Sequence, residues 1–250
     1  MTDQPTENLI RNRRSFGPMD EPTWLEKRLS YVTATQACAL LGEHPYKSRS
    51  ELMDDKLGQG KPFTPNKFTI YGSAAEPFVC DMAAQLLQCR TRLVRYPDPL
   101  KKFMLTNISY PGLSATPDAA LRVPHCWTQE AATRSLEPFR YRGSSRWMER
   151  LIRALRGRKG QTGLLELKTA HSYKAVDTWT KGPPAHYWSQ VQVQLGICGY
   201  EWGILFGKLP RATFVAHYIE RDDEYLDSLK VAVGRFWDVV EKERSHLTAG

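Results

Sequence analysis

The sequence predicts one mixed α/β domain interrupted by a basic insertion, and three observations carry that prediction. The chain has 250 residues, enough for a single large core, and its 41% hydrophobic and 25% charged composition is that of an ordinary globular protein. Segments with an apolar period near 3.6 alternate with short runs that read as strands. Finally, nine basic residues and only two acidic ones (Glu137, Glu149) fall between Arg134 and Lys159, so this tenth of the chain carries +7 of a net charge of +8. Such a concentrated excess is a patch, and it points to a polyanionic partner.

Taken in order, residues 1–21 are polar and without periodicity, which predicts a flexible arm before a domain spanning 22–245. A helix is expected from Pro22 to Leu29, capped by Thr23 with Glu26 three residues on. A second short helix is expected from Thr33 to Leu41, ended by Gly42, and a helical turn from Glu51 to Leu57. After a Gly/Pro-rich loop (58–65), Tyr71-Gly72 opens a helix whose stripe runs through Phe78, Met82 and Leu86. Strands are expected at Thr91–Tyr96, Leu113–Thr116 and Ala119–Val123. The basic insertion, about 124–160, contains an amphipathic helix marked by Trp147, Met148, Leu151, Ile152 and Leu155. Strands at Gly163–Thr169, Trp202–Phe206 and Ala212–Ile219 precede a closing helix, 222–243. The segment from Tyr187 to Cys198 is ambiguous: its Gln/Val alternation is a strand signature, yet as a helix it gathers Gln190 and Gln194 on one face.

Several classes are excluded. No apolar run reaches about 18 residues, so a membrane-spanning helix is not expected, and the polar N-terminus lacks a signal-peptide core, which predicts a soluble intracellular protein. The five cysteines (Cys38, Cys80, Cys89, Cys126, Cys198) are scattered and include no Cys-x-x-Cys, which fits reduced thiols rather than a zinc site or disulfide framework.

The chemistry centres on Gly163–Thr169. On a strand Glu166 and Lys168 point together while Leu165 and Leu167 point the other way. Asp118 follows a strand and is approached through Pro117, and Glu76 sits near the start of the Gly72 helix. Carboxylates that converge in this way suit a hard divalent cation, with Lys168 adding a positive charge. Each piece has an ordinary alternative. Glu-x-Lys arises by chance on solvated strands, Pro-Asp is a common turn, and a first-turn Glu is favoured by the helix dipole.

The ordered set Trp24…Lys27-Arg28-Leu29…Val32-Thr33-Ala34-Thr35, Gly72-x-x-x-Glu76, Thr116-Pro117-Asp118, Leu165-Glu166-Leu167-Lys168 and Tyr187…Gln190-Val191-Gln192 resembles the lambda-type phage exonucleases. These are also called YqaJ-like viral recombinase nucleases and belong to the PD-(D/E)XK superfamily; the resemblance runs from about residue 23 to 230. It implies a central mixed sheet flanked by helices and a Mg²⁺ (or Mn²⁺) site, with two ions. Asp118, Glu166 and the carbonyl of Leu167 would hold metal, with Glu76 acting through water, Lys168 at the attacking water, and Gln190 beside them on a helix. Arg28, helped by Thr35, would hold a terminal 5′-phosphate; a guanidinium suits a phosphate bidentately. The implied activity is 5′-to-3′ hydrolysis of double-stranded DNA in recombination by single-strand annealing, in the host cytoplasm or nucleus. The implied partners are an annealing protein and, in a ring-shaped trimer, further copies of the chain.

Two features depart from that pattern. Thr35 stands where the family usually has Ser, which keeps the hydroxyl. In addition, 47 residues separate Asp118 from Glu166, where compact members have a short hairpin. Arg140, Arg142, Arg146, Arg150, Arg153 and Arg156 within this insertion are candidates to grip duplex phosphates; a surface loop or subunit contact is the alternative. The motifs report hydrolysis more than polarity, so an endonuclease, an RNA-processing relative and a catalytically silent DNA-binding protein are the competing readings.

Overall fold

The structure is a computed structural model, and it describes residues 12–61, 64–94, 101–139 and 145–249. Two mixed sheets, not one, form its framework. The smaller has the order β1-β4-β5-β2, built from Arg13–Met19 (β1), Val32–Thr33 (β2), Lys102–Asn107 (β4) and Leu113–Ala115 (β5). The larger has the order β3-β6-β7-β8-β9, built from Arg90–Leu93 (β3), Ala119–Arg122 (β6), Thr162–Thr169 (β7), Trp202–Leu209 (β8) and Thr213–Glu220 (β9). Only β2–β5 and β7–β8 pair in parallel.

Residues 13–19, expected as part of a flexible arm, form the edge strand β1 against β4. Neither face of β1 is buried, so it carries no alternation to read. Main-chain pairing holds it, with the Lys27 ammonium 4.3 Å from the Phe16 ring centroid.

Helix α1 (Glu21–Arg28) is capped by Asp20, whose carboxylate accepts from the Thr23 amide at 2.9 Å, and not by Thr23. Acceptance by Asp20 leaves Pro22 in the first turn, where its missing N–H is harmless. The expected helix at 33–41 shrinks to α2 (Ala37–Leu40), because Val32 and Thr33 are drawn into the sheet beside Leu113 and Ser114. Helix α3 (Arg49–Lys56) starts in a capping box between Ser48 and Glu51. Helix α4 (Lys67–Leu87) begins at an Asn66 cap, earlier than expected, so Glu76 lies in its middle and the dipole argument for that position fails. The next residue, Pro77, has no N–H to offer the Ser73 carbonyl.

In the basic insertion most of the described residues are helical. Helices α5 (Gln129–Leu136) and α6 (Ser145–Arg156) return from the β6–β7 hairpin onto the larger core, burying Trp147, Met148, Leu151 and Leu155. Helix α7 (Tyr173–Lys181), which has no counterpart among the expected elements, buries Trp179.

Helix α8 (Ala185–Cys198) resolves the Gln/Val ambiguity. It lies between the two sheets, and every residue from Ser189 to Cys198 is buried. Val191 and Leu195 join the core of the larger sheet; Val193, Ile197 and Cys198 join that of the smaller one. Two i,i+4 stripes on opposite sides of one helix produce the alternation that mimics a strand. Helix α9 (Asp223–Ala249) closes the second core with Leu226, Leu229, Val233, Phe236 and Val240. Among the described residues no helix is long and apolar enough to cross a membrane.

Candidate active site

Strand β7 is buried almost throughout, and at its start Gly163 is required by packing. A Cβ there would stand 2.6 Å from the Trp202 indole. The antiparallel register of β6 on β7 sets Ala119 opposite Leu165, which brings Asp118 to the level of Glu166 and Leu167. There the Leu167 amide donates to Asp118 Oδ2 at 2.8 Å.

Glu166 is 1% exposed, and three donors pin its carboxylate. Lys168 Nζ and Gln190 Nε2 (2.5 Å) donate to Oε1, and Gln194 Nε2 donates to Oε2 at 2.8 Å. A carboxylate accepts about four hydrogen bonds, so one acceptor site on Oε2 is left by these contacts. In the sequence Gln194 shows only as a companion of Gln190, and the spacing of four is the signal. Gln192, between them, instead ties the chain together, donating to the Glu220 carbonyl and accepting from the Asp222 amide, both at 2.8 Å.

The charges of this cluster act on one another. Burial pushes the Asp118 carboxyl well above the usual carboxylate range, and neighbouring Glu166 adds to the rise, while Lys168 and the Leu167 amide oppose it. Burial lowers the Lys168 ammonium, but Glu166 and Asp118 outweigh it, and the net shift is upward. Lys168 thus stays charged, 5.2 Å from the centroid of the Tyr187 ring.

The cluster opens into a cleft of about 1220 Å³, larger than the roughly 300–1,000 Å³ of a site for a small ligand. Its lining gathers residues that are remote in sequence, among them Arg28, Thr35, Glu76, Asp118, Leu167 and Lys168, together with Lys47, Lys56, Lys61 and Lys102. Arg28 lies over the Trp24 ring, 4.3 Å from its centroid, and its guanidinium is held below its ordinary value by burial, against the pull of Asp55. Exposed Phe68 and Tyr71 meet His171 at centroid distances of 5.0 and 4.7 Å, near cleft-lining Thr69 and Ile70. Neither this aromatic cluster nor Lys56 carries a signal in the sequence.

The basic candidates fall elsewhere. Arg146, Arg150, Arg153 and Arg156 are exposed on α6, which packs against β9, and none of them lines the cleft. Arg158, part of the same charge excess, is committed to Glu201 (3.3 Å), Glu220 (3.2 Å) and the Tyr218 hydroxyl (2.8 Å). Arg140 and Arg142 lie outside the described residues.

Residues 23–201 match the YqaJ-like viral recombinase domain. The chain belongs to that family. Across 248 residues this YqaJ-like chain is 24% identical to the uncharacterised protein YqaJ of Bacillus subtilis (strain 168), covering 95% of the chain and 60% of that protein. Across 53 residues it is 40% identical to the uncharacterised protein R354 of Acanthamoeba polyphaga mimivirus, covering 21% of the chain and 10% of that protein. The chain thus spans less than two thirds of these relatives. Its fold is shared with an alkaline exonuclease (LHK-Exo) from Laribacter hongkongensis, at TM-score 0.58 and 18% identity, covering 91% of this chain and 96% of that one. It also resembles a phage-related exonuclease from Haemophilus somnus 129PT, at TM-score 0.51 and 12% identity, covering 87% and 96% of the two chains.

Proposed function

We propose that this YqaJ-like protein is a phage-type nuclease, a divalent-metal-dependent phosphodiester hydrolase that degrades duplex DNA from its 5′ ends. The observation that carries the reading is the Asp118–Glu166–Lys168 cluster, two carboxylates and an ammonium, of which Asp118 and Lys168 line a cation-rich cleft and Glu166 is buried behind them. The exonuclease names of the structural relatives support it.

The donor set fits a hard cation. Among the described residues no three His, Cys, Asp or Glu side chains are grouped to hold a metal ion by themselves, so a cation here would need main-chain, phosphate and water oxygens to complete its shell. Asp118, Glu166 and the Leu167 carbonyl offer oxygen only, the set Mg²⁺ takes when phosphate oxygens and water complete its shell. Glu76, which lines the same cleft as Asp118, would act through water. When bound, the cation (one or two Mg²⁺, or Mn²⁺) supplies charge neutralisation at phosphorus and acidifies a water. The protein's own part is positional. Gln190 and Gln194 fix the carboxylate plane of Glu166, the Leu167 amide fixes Asp118, and Lys168 holds a positive charge where a water or phosphate oxygen would sit. Arg28 and Thr35, elsewhere in the same cleft, would receive the 5′-phosphate of the DNA end.

With Mg²⁺ and an end-labelled linear duplex, Asp118→Ala and Lys168→Ala are expected to abolish cleavage while DNA binding in Ca²⁺ persists. Full activity in either variant would sink the assignment. A closed circle run in parallel separates exonuclease from endonuclease, since only the latter cuts it. A sizing experiment with and without DNA tests the trimer, and co-purification with a phage annealing protein tests that partner.

A further inference from the structure

Lys56 is 2% exposed, yet it belongs to the wall of the cleft beside Arg28. Its ammonium donates to the Arg28 carbonyl and to Gln36 Oε1, each at 2.9 Å, and both acceptors are neutral. The neighbouring carboxylate, Asp55, is held by Lys47. Among the described residues no carboxylate lies within ion-pair distance of Lys56. A buried ammonium without a counter-charge is costly, and beside a second cation more so. Burial and the Arg28 guanidinium together push the Lys56 ammonium down to about 7, and Asp55 only partly opposes them. A third N–H of the ammonium is left by its two hydrogen bonds.

A buried ammonium and a half-buried guanidinium lining one cleft are balanced best by an incoming anion. A terminal phosphomonoester carries up to two negative charges near neutral pH, whereas an internal phosphodiester carries one. We propose that Lys56 and Arg28 together form a two-cation subsite that selects a dianionic terminal phosphate, Lys56 holding Arg28 through its carbonyl and supplying the second charge. This rests on the reading of Arg28 as the receiver of the DNA end, and makes Lys56 a specificity-determining residue of that receiver.

The test compares linear duplexes bearing a 5′-phosphate or a 5′-hydroxyl, reading Kd in Ca²⁺ and kcat/KM in Mg²⁺. The wild type should prefer phosphate and Arg28→Ala should lose that preference; a wild type with no preference overturns the reading of Arg28 itself. Lys56→Gln keeps a donor for the Arg28 carbonyl but removes the charge. It should lower the phosphate-to-hydroxyl preference by roughly tenfold or more, with folding checked by its melting temperature. A folded Lys56→Gln protein with undiminished preference, where Arg28→Ala has lost it, overturns the role of Lys56 alone.

A second measurement needs no variant. Lys56 faces Arg28, Lys47, Asp55 and Arg244, and its burial among the cations of this group holds its ammonium down to about 7. The wild-type preference should therefore fall as pH rises from 7 to 9. A level profile over that range contradicts the second charge.

Discussion

The cluster around Glu166 and helix α6 both gather charge, and they handle it in opposite ways. In the cluster, Glu166 is sealed from water and each of its oxygens has a donor. On α6, four arginines stand in solvent above a buried apolar face. Holding a carboxylate in a dry interior costs several kcal/mol unless it is paired and hydrogen-bonded, so such a cluster persists only where the fold is organised around it. A solvated arginine costs almost nothing and therefore says little about its own role; only the sum of several such charges does.

The largest test of that contrast is Glu166→Ala. Losing the centre of the network should reduce cleavage of linear duplex by roughly 10³-fold or more. On α6 the weight lies in the apolar side: Trp147→Ala should cost about 3–5 kcal/mol in a urea melt. If it costs less than about 1 kcal/mol, the insertion is not part of the core.

Between the two regions lies His217 on β9, buried, with Nε2 2.8 Å from the Trp179 carbonyl. Burial, with Arg150 of α6 adding to it, pushes the imidazole down to about 4, against the hydrogen bond to Trp179. The folded value lies below the unfolded one near 6.5, so the unfolded chain takes up the proton first. The stability it confers is complete above pH 6.5 and is lost as pH falls to about 4, in total about 3 kcal/mol. His217→Gln should remove that part of the pH dependence of the urea midpoint; an unchanged profile refutes it.

Smaller effects sharpen the comparison. Gln194→Leu leaves Glu166 Oε2 without its amide donor and should cost about 1–3 kcal/mol, together with a fall in activity. The same change at Gln192 should lower stability, by removing the bridge from Glu220 to Asp222, with much less effect on turnover. Equal activity losses in the two variants would erase the distinction between them. Last, replacing Arg146, Arg150, Arg153 and Arg156 by Gln should shift stability by no more than about 0.5 kcal/mol per site. If these arginines bind phosphates, each one replaced flattens the salt dependence of DNA binding by about 0.9 in log–log slope. An unchanged slope assigns the α6 face to another role.

Much of the site is legible in the sequence, since β-strand alternation alone puts Glu166 and Lys168 on one side, and the spacing of Gln190 and Gln194 puts both amides on one side of a helix. Local patterns also give the apolar stripe of α6 and most strands of the larger sheet. Three kinds of feature are not legible. Strand β1 buries neither face and so leaves no pattern. Glu76 takes its place from a helix start ten residues upstream, set by an Asn66 cap that no apolar stripe announces. The alternation on α8 cannot be decided locally, because a helix buried on two sides and a strand buried on one write the same apolar and polar order.

What the sequence offered by itself was therefore a candidate set, Glu166 and Lys168 from strand alternation and Asp118 from the ordered motifs of the family resemblance. Only the tertiary structure decided what surrounds that set. The β6–β7 register levels Asp118 with Glu166, the packing of α8 between two sheets delivers Gln194, and the meeting of α1 with α3 buries Lys56 under the carbonyl of Arg28. These pairings join residues tens of positions apart, fixed by how whole elements pack, and no local periodicity encodes them.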